Sequence, residues 1–234
     1  MQQPATAKKA LKETVPVPPS LRRRLWYGII GAGLFIMIAY IEGWQRSDYD
    51  VWQQSISALA LSSRGWVQTV NFFIFGTMVL STVTAWRKIL AGGAGAKAYP
   101  ILTALAGISL IACGFAPQDP APGYDPQDLA LIKPSLPGLI HLLFAAIGAL
   151  SSIIGLLIMA RRFTGDRLWY GWNAYSIAMA ITMTACITVY AIWSTASAGY
   201  AGTFERLGLM AVPVWGLTFL IRLETGTPFM YRQS

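Results

Sequence analysis

Residues 134–160 read PSLPGLIHLLFAAIGALSSIIGLLIMA, and Arg161 and Arg162 follow directly. No charged residue interrupts these 27 positions. About 20 apolar residues suffice for a helix to cross a bilayer at 1.5 Å rise per residue, so the stretch reads as a membrane-spanning helix. It lacks the strict alternation of a barrel strand. Working outward in both directions, comparable runs place spans at about 25–43, 65–86, 99–117, 137–160, 169–193 and 205–222. The composition agrees: 55% of the 234 residues are apolar, only 12% are charged, and the mean hydropathy is +0.49. A soluble globular chain is excluded. The expected fold class is all-α, a polytopic membrane protein forming a six-transmembrane-helix bundle over residues 21–234.

Residues 1–20 carry Lys8, Lys9, Lys12 and four prolines with few large apolar groups, which reads as a flexible cytoplasmic tail. The first span ends without a small-residue cleavage pattern, so it is read as an uncleaved anchor. Six alternating spans put the tail, residues 87–100, residues 161–167 and the C-terminus on one side. That side holds 14 of the 18 Lys and Arg; the other holds Arg46, Arg64, Lys133 and Arg206. The positive-inside rule then makes both termini cytoplasmic, in a cell inner (plasma) membrane. A pI of about 9.7 thus reflects topology and attraction to anionic lipid, since there is no folded basic module for nucleic acid. Trp26, Tyr27, Trp86, Trp169, Tyr170 and Trp172 near the inner boundary, and Trp44, Trp52, Trp66, Tyr190 and Trp193 near the outer one, read as aromatic belts.

Asp50 followed by Gln53, with Trp52, Ile56 and Leu59 at helical spacing, predicts a short outer interfacial helix that lies on the leaflet or tucks into the bundle mouth. Polar residues within apolar spans are costly unless paired or wet, so they mark candidate sites. Most gather at the outer side: Gln68 and Asn71 three apart in span two, Asp119 after span three, His141 one turn into span four, and Glu205 with Arg206 opening span six. His141 begins a stripe of small residues, Ala145, Gly148, Ser152 and Gly155, which turns it toward neighbouring helices.

A lone histidine excludes bis-histidine haem, three-histidine zinc and two-histidine iron sites within one chain. His141 with Asp119 and Glu205 is a metal set by donor type alone, and no spacing supports it; no metal and no cofactor are expected. The simpler chemistry makes His141 a general base and Asp119 the carboxylate that orients it, with Ser55 or Ser57 as nucleophile. Arg206 suits an anionic head group or a structural salt bridge to Asp119, Asp125 or Asp128. Cys113 and Cys186, both inside apolar spans, read as small apolar filler.

The ordered set Tyr49, Ser55, Ser57, Leu59; Asn71, Gly76; Gly114, Phe115, Asp119, Pro120; Gly138, His141; and Glu205, Arg206 resembles the bacterial and archaeal membrane family catalogued as domain of unknown function 998. Ala116, Pro117 and Gln118 stand between Phe115 and Asp119, one residue more than in the family pattern. The resemblance runs over most of residues 25–222 and implies a six-helix fold without a particular activity. From the residues, the expected function is an outward-facing polar pocket of Ser55, Ser57, Gln68, Asn71, Asp119, His141, Glu205 and Arg206 that binds a lipid or lipid-linked head group. Two alternatives stay open: a hydrolase or transferase using His141 as base, and a non-enzymatic sensor or assembly partner of another membrane protein. Transport is disfavoured because no span carries a mid-membrane charge.

Overall fold

The computed structural model describes residues 13–120, 134–195 and 199–231. Among the described residues, six helices are long and apolar enough to cross a membrane. They are α1 (Pro19–Trp44), α2 (Gly65–Ile89), α3 (Ala98–Phe115), α4 (Leu136–Phe163), α5 (Trp172–Thr195) and α6 (Ala201–Glu224). Each packs on its sequence neighbours, and α6 returns to α1, so the helices close into a ring. Helix α1 begins six residues before its expected span, and α6 begins four residues before Glu205; α6 has the less usual start. Its first turn has no side-chain cap. Instead, Gly202 N and Thr203 N donate to the loop carbonyls of Gln53 and Trp52, both at 2.9 Å. Those bonds satisfy two of the donors that a helix start leaves open.

The segment read as a tail is built into the fold from Thr14 onward, while residues 1–12 lie outside the described residues. Strand β1 (Thr14–Val15) pairs antiparallel with β2 (Met230–Tyr231), and the pairing puts both described chain ends at one end of the bundle. Val17 and Phe229 follow it into the core. There an aromatic nucleus forms, in which Phe219 stacks on Trp215 with ring centroids 5.2 Å apart and Trp169 and Phe163 lie 5.1 Å apart.

This nucleus corrects part of the belt reading. Trp169 is 1% exposed and Trp86 8%, so both are core residues, whereas Trp44, Trp52, Trp66, Tyr27 and Tyr170 do face outward. Sequence places a tryptophan near a helix end but does not say which way it turns.

Close helix approach depends on α2 and α3. A side chain at Gly76 would meet the backbone carbonyl oxygen of Gly107 at 2.7 Å, and one at Gly107 would meet Leu80 at 2.8 Å. Such small-residue contacts let two helices pack backbone to backbone where lipid supplies no hydrophobic drive. The small stripe of α4 works similarly: Gly148 faces Ser109 and Gly155 faces Tyr99, both on α3. Ala145, however, is exposed.

Gly76→Leu should therefore wedge α2 from α3 and lower stability by about 1–3 kcal/mol, the usual cost of overpacking. Gly33→Ala, where no neighbour lies within 4 Å, should leave stability unchanged or slightly raised. Thermal unfolding of the two variants in detergent checks the contrast.

Candidate functional site

The interfacial helix forms later in the loop than its sequence signature suggests. Asp50 Oδ1 accepts from Trp52 N at 2.8 Å and Gln53 N at 3.4 Å, which makes a single turn. The helix proper is a 3-10 helix over Ile56–Leu61, and its cap is Ser55, whose hydroxyl accepts from Ala58 N. It tucks into the bundle mouth: Ile56, Ala58 and Leu59 are buried, while Trp52 stays 52% exposed.

What draws the loop inward is the start of α6. Arg206, 4% exposed, donates through Nη1 to the Gln54 carbonyl at 2.9 Å and the Gly202 carbonyl at 2.8 Å. Its Nη2 donates to Tyr49 Oη at 2.6 Å, and the guanidinium sits 5.6 Å from the Tyr40 ring centre. Glu205 Oε2 accepts from Ile56 N at 2.7 Å, so it caps the 3-10 helix from outside. Adjacent residues on a helix diverge by about 100 degrees, and these two find separate partners as that angle requires. Arg206 is therefore neither a free anion fork nor part of a salt bridge with Asp119. Asp125 and Asp128 lie outside the described residues.

His141 is 6% exposed. Its Nδ1 lies 2.7 Å from the Ala116 carbonyl oxygen and its Nε2 lies 3.0 Å from Ser57 Oγ. A carbonyl can only accept, so Nδ1 carries the proton. In the neutral ring Nε2 is then the bare nitrogen, and the Ser57 hydroxyl donates to it. Asp119 is not the orienting carboxylate, because both ring nitrogens are already engaged. It bonds Ser135 instead, through Ser135 N at 3.0 Å and Ser135 Oγ at 2.6 Å, while Ser135 Oγ accepts from Gly138 N as the N-cap of α4. Gly138 is required there, since a Cβ at that position would overlap the Asp119 carboxylate.

The remaining candidates form neighbouring pairs. Ser55 Oγ donates to Gln118 Oε1 at 2.9 Å. Asn71 Nδ2 donates to the Phe35 carbonyl at 2.9 Å and to Gln68 Oε1 at 3.2 Å, which leaves Gln68 Nε2 and Asn71 Oδ1 buried without a partner among the described residues. Phe72, one residue beyond Asn71, sets its ring edge-on to His141 at 6.2 Å. Cys113 holds α3 to α4 through a weak bond to the His141 carbonyl at 3.8 Å.

Sequence reading missed the ionic node beside the loop. Glu42 Oε2 pairs with Arg46 at 2.9 Å and Glu42 Oε1 with Arg64 at 2.6 Å. Arg46 also donates to the Leu59 carbonyl at 2.8 Å and to Ser62 Oγ. The spacing of Glu42 and Arg46, four apart at the end of a helix, was the available signal. Tyr190 was assigned to a belt, but it lies near Ser55, Glu205 and Arg206. Among the described residues, no group of three or more His, Cys, Asp or Glu could hold a metal.

The molecule is thus a multi-pass α-helical membrane protein whose one end is closed by a polar loop plug. The family model described as protein of unknown function (DUF998) matches residues 29–222, and the chain belongs to that family. Comparison with curated proteins and with solved structures gave no match.

Replacing Arg206 by Met removes three bonds from a charged donor and should lower stability by about 3 kcal/mol or more. Trypsin should then cut after Arg46, whose side chain is only 6% exposed in the native chain. Glu205→Gln keeps an oxygen for Ile56 N and should release the loop less. Limited digestion read by mass spectrometry compares the two.

Proposed function

We propose that the protein is a membrane-embedded hydrolase or transferase acting on an ester of a lipid or lipid-linked head group, with Ser57 as nucleophile and His141 as general base. The observation that carries this reading is the relay from the Ala116 carbonyl through His141 to Ser57 Oγ. A serine hydroxyl is a weak nucleophile unless a base takes its proton, and a base within hydrogen-bond reach, itself oriented by a third group, supplies that activation. Here the third group is a main-chain carbonyl instead of a carboxylate.

In the proposed reaction Ser57 Oγ attacks the ester carbon or phosphorus while its proton passes to His141 Nε2. That proton then goes to the departing alkoxide oxygen. A water or an acceptor hydroxyl next gives its proton to the same nitrogen and attacks the Ser57 ester; Ser57 Oγ departs and takes that proton back from Nε2, which restores the free serine and the neutral imidazole. Asp119 acts as a positioning residue. By anchoring the segment after α3 to the α4 cap, it fixes where the Ala116 carbonyl points. Half-buried Ser57, on a loop plug flanked by outward-facing Trp52 and Trp66, suits a substrate approaching at head-group depth.

The orientation we propose keeps the end with both chain termini in the cytoplasm and the loop plug outside, in a bacterial inner membrane. Support comes from charge. The described basic residues of the loop end are Arg46, Arg64 and Arg206, and all three have partners within the fold. A second reading, a sensor or assembly module without turnover, is favoured by the engagement of both Arg206 Nη groups with the protein's own oxygens.

The two readings separate experimentally. An activated serine displaces fluoride from a fluorophosphonate, so the detergent-solubilised chain should be labelled at Ser57. Ser57→Ala should abolish labelling, and His141→Ala should slow it by about 10²–10⁴, the usual contribution of a general base. Folded protein that resists the probe, together with unchanged cellular lipids on expression of either variant, would remove the enzymatic reading.

A further inference from the structure

At the opposite end of the bundle, where both chain termini lie, a cleft of about 610 Å³ opens between the start of α1 and the end of α2. It is lined by Leu21, Thr84, Arg87, Lys88, Ala91 and Met230. Arg24 of α1 reaches its rim, donating through Nη1 to Thr84 Oγ1 at 3.1 Å. The Met230 wall is set by the pairing of β1 with β2, so the cleft is part of the fold.

Its charge is unbalanced. Arg22 has Glu224 at 3.0 Å, but Arg23, Arg24, Arg87 and Lys88 have no carboxylate partner among the described residues. Arg87 and Lys88 sit in the last turn of α2, where the helix dipole favours cations. Dipole compensation does not explain Arg24. It follows Arg22 and Arg23 near the N-terminus of α1, a helix with no acidic residue in its first turn, and cations there oppose the dipole. Arg87 and Lys88 thus line a concave site, with Arg24 at its rim, that also presents Leu21, Ala91 and Met230.

Phosphate beside glycerol and upper acyl carbons matches this mixture of cations and apolar wall. We infer that the cleft binds the head group of an anionic phospholipid, with Arg24, Arg87 and Lys88 on the phosphate and the apolar side chains against the glycerol and first acyl carbons. A zwitterionic head group would bring its own cation to a site that already holds three. The inference does not rest on the Ser57 and His141 chemistry at the other end.

The full chain in detergent, titrated with dioctanoyl phosphatidylglycerol, dioctanoyl phosphatidylcholine and inorganic phosphate, tests this by native mass spectrometry and thermal unfolding. The wild-type chain should bind phosphatidylglycerol, and Arg87→Gln/Lys88→Gln should bind it at least tenfold more weakly. Arg161→Gln/Arg167→Gln removes the same charge at exposed positions of the same end and should bind as wild type. Thr84→Trp fills the cleft with its charges intact and should also lose binding, which decides the matter if the charge variant does not fold. Equal weakening in both double variants, or full binding by Thr84→Trp, would overturn the proposal. So would an equal response to phosphatidylcholine, or to inorganic phosphate.

Discussion

Two ionisable residues buried at the head of one helix set the shape of the loop end. Glu205 and Arg206 are taken out of water where α6 begins, and a buried charge persists only if its polar atoms are satisfied. The groups within reach are main-chain atoms of the loop after α1. Arg206 takes the Gln54 carbonyl and Glu205 takes the Ile56 amide, so the loop has to fold across the mouth. In return the Gln53 and Trp52 carbonyls satisfy the first donors of α6. Loop and helix start each complete the other's hydrogen bonding, and neither geometry is available alone.

Ser57 follows Ile56 directly, so fixing the Ile56 amide also fixes Ser57 against α4. A second anchor comes from the opposite wall, where Asp119 ties the chain leaving α3 to the α4 cap through Ser135. That leaves the Ala116 carbonyl 2.7 Å from His141 Nδ1. His141 thus lies between two independently anchored segments, one presenting an acceptor and one a hydroxyl. This arrangement holds one tautomer and leaves Nε2 free to accept, the state a general base needs.

The two ends of the bundle are stabilised by different physics. At the terminal end Trp169, Phe163, Trp215, Phe219 and Phe229 pack into one apolar nucleus, reinforced by the short β1–β2 pairing. At the loop end, hydrogen bonds and the Glu42, Arg46 and Arg64 node connect α1, the loop and α2. Packing at one end holds the helices together, and a hydrogen-bonded polar network closes the other. Gly76 and Gly107 link the halves by letting α2 and α3 approach closely along their length.

Sequence by itself determined the class of protein and the number of helices, because the length of a charge-free run is measured against a bilayer of fixed thickness. It also singled out His141, Glu205 and Arg206, since isolated polar groups stand out against apolar spans, and left Ser55 and Ser57 as alternatives in the loop. Their partners were not legible. Asp119 and His141 look like an acid and base by type, yet the chain passes them on different paths, and Asp119 spends its oxygens on a helix cap. The loop helix begins at Ser55 and not Asp50 because Glu205, 149 residues beyond Ile56, supplies the bond that starts it. Trp86 and Trp169 read as belt residues until packing turns them inward. Periodicity and composition act locally and survive in any reading of the chain, whereas a hydrogen bond between distant segments exists only once the helices have closed their ring.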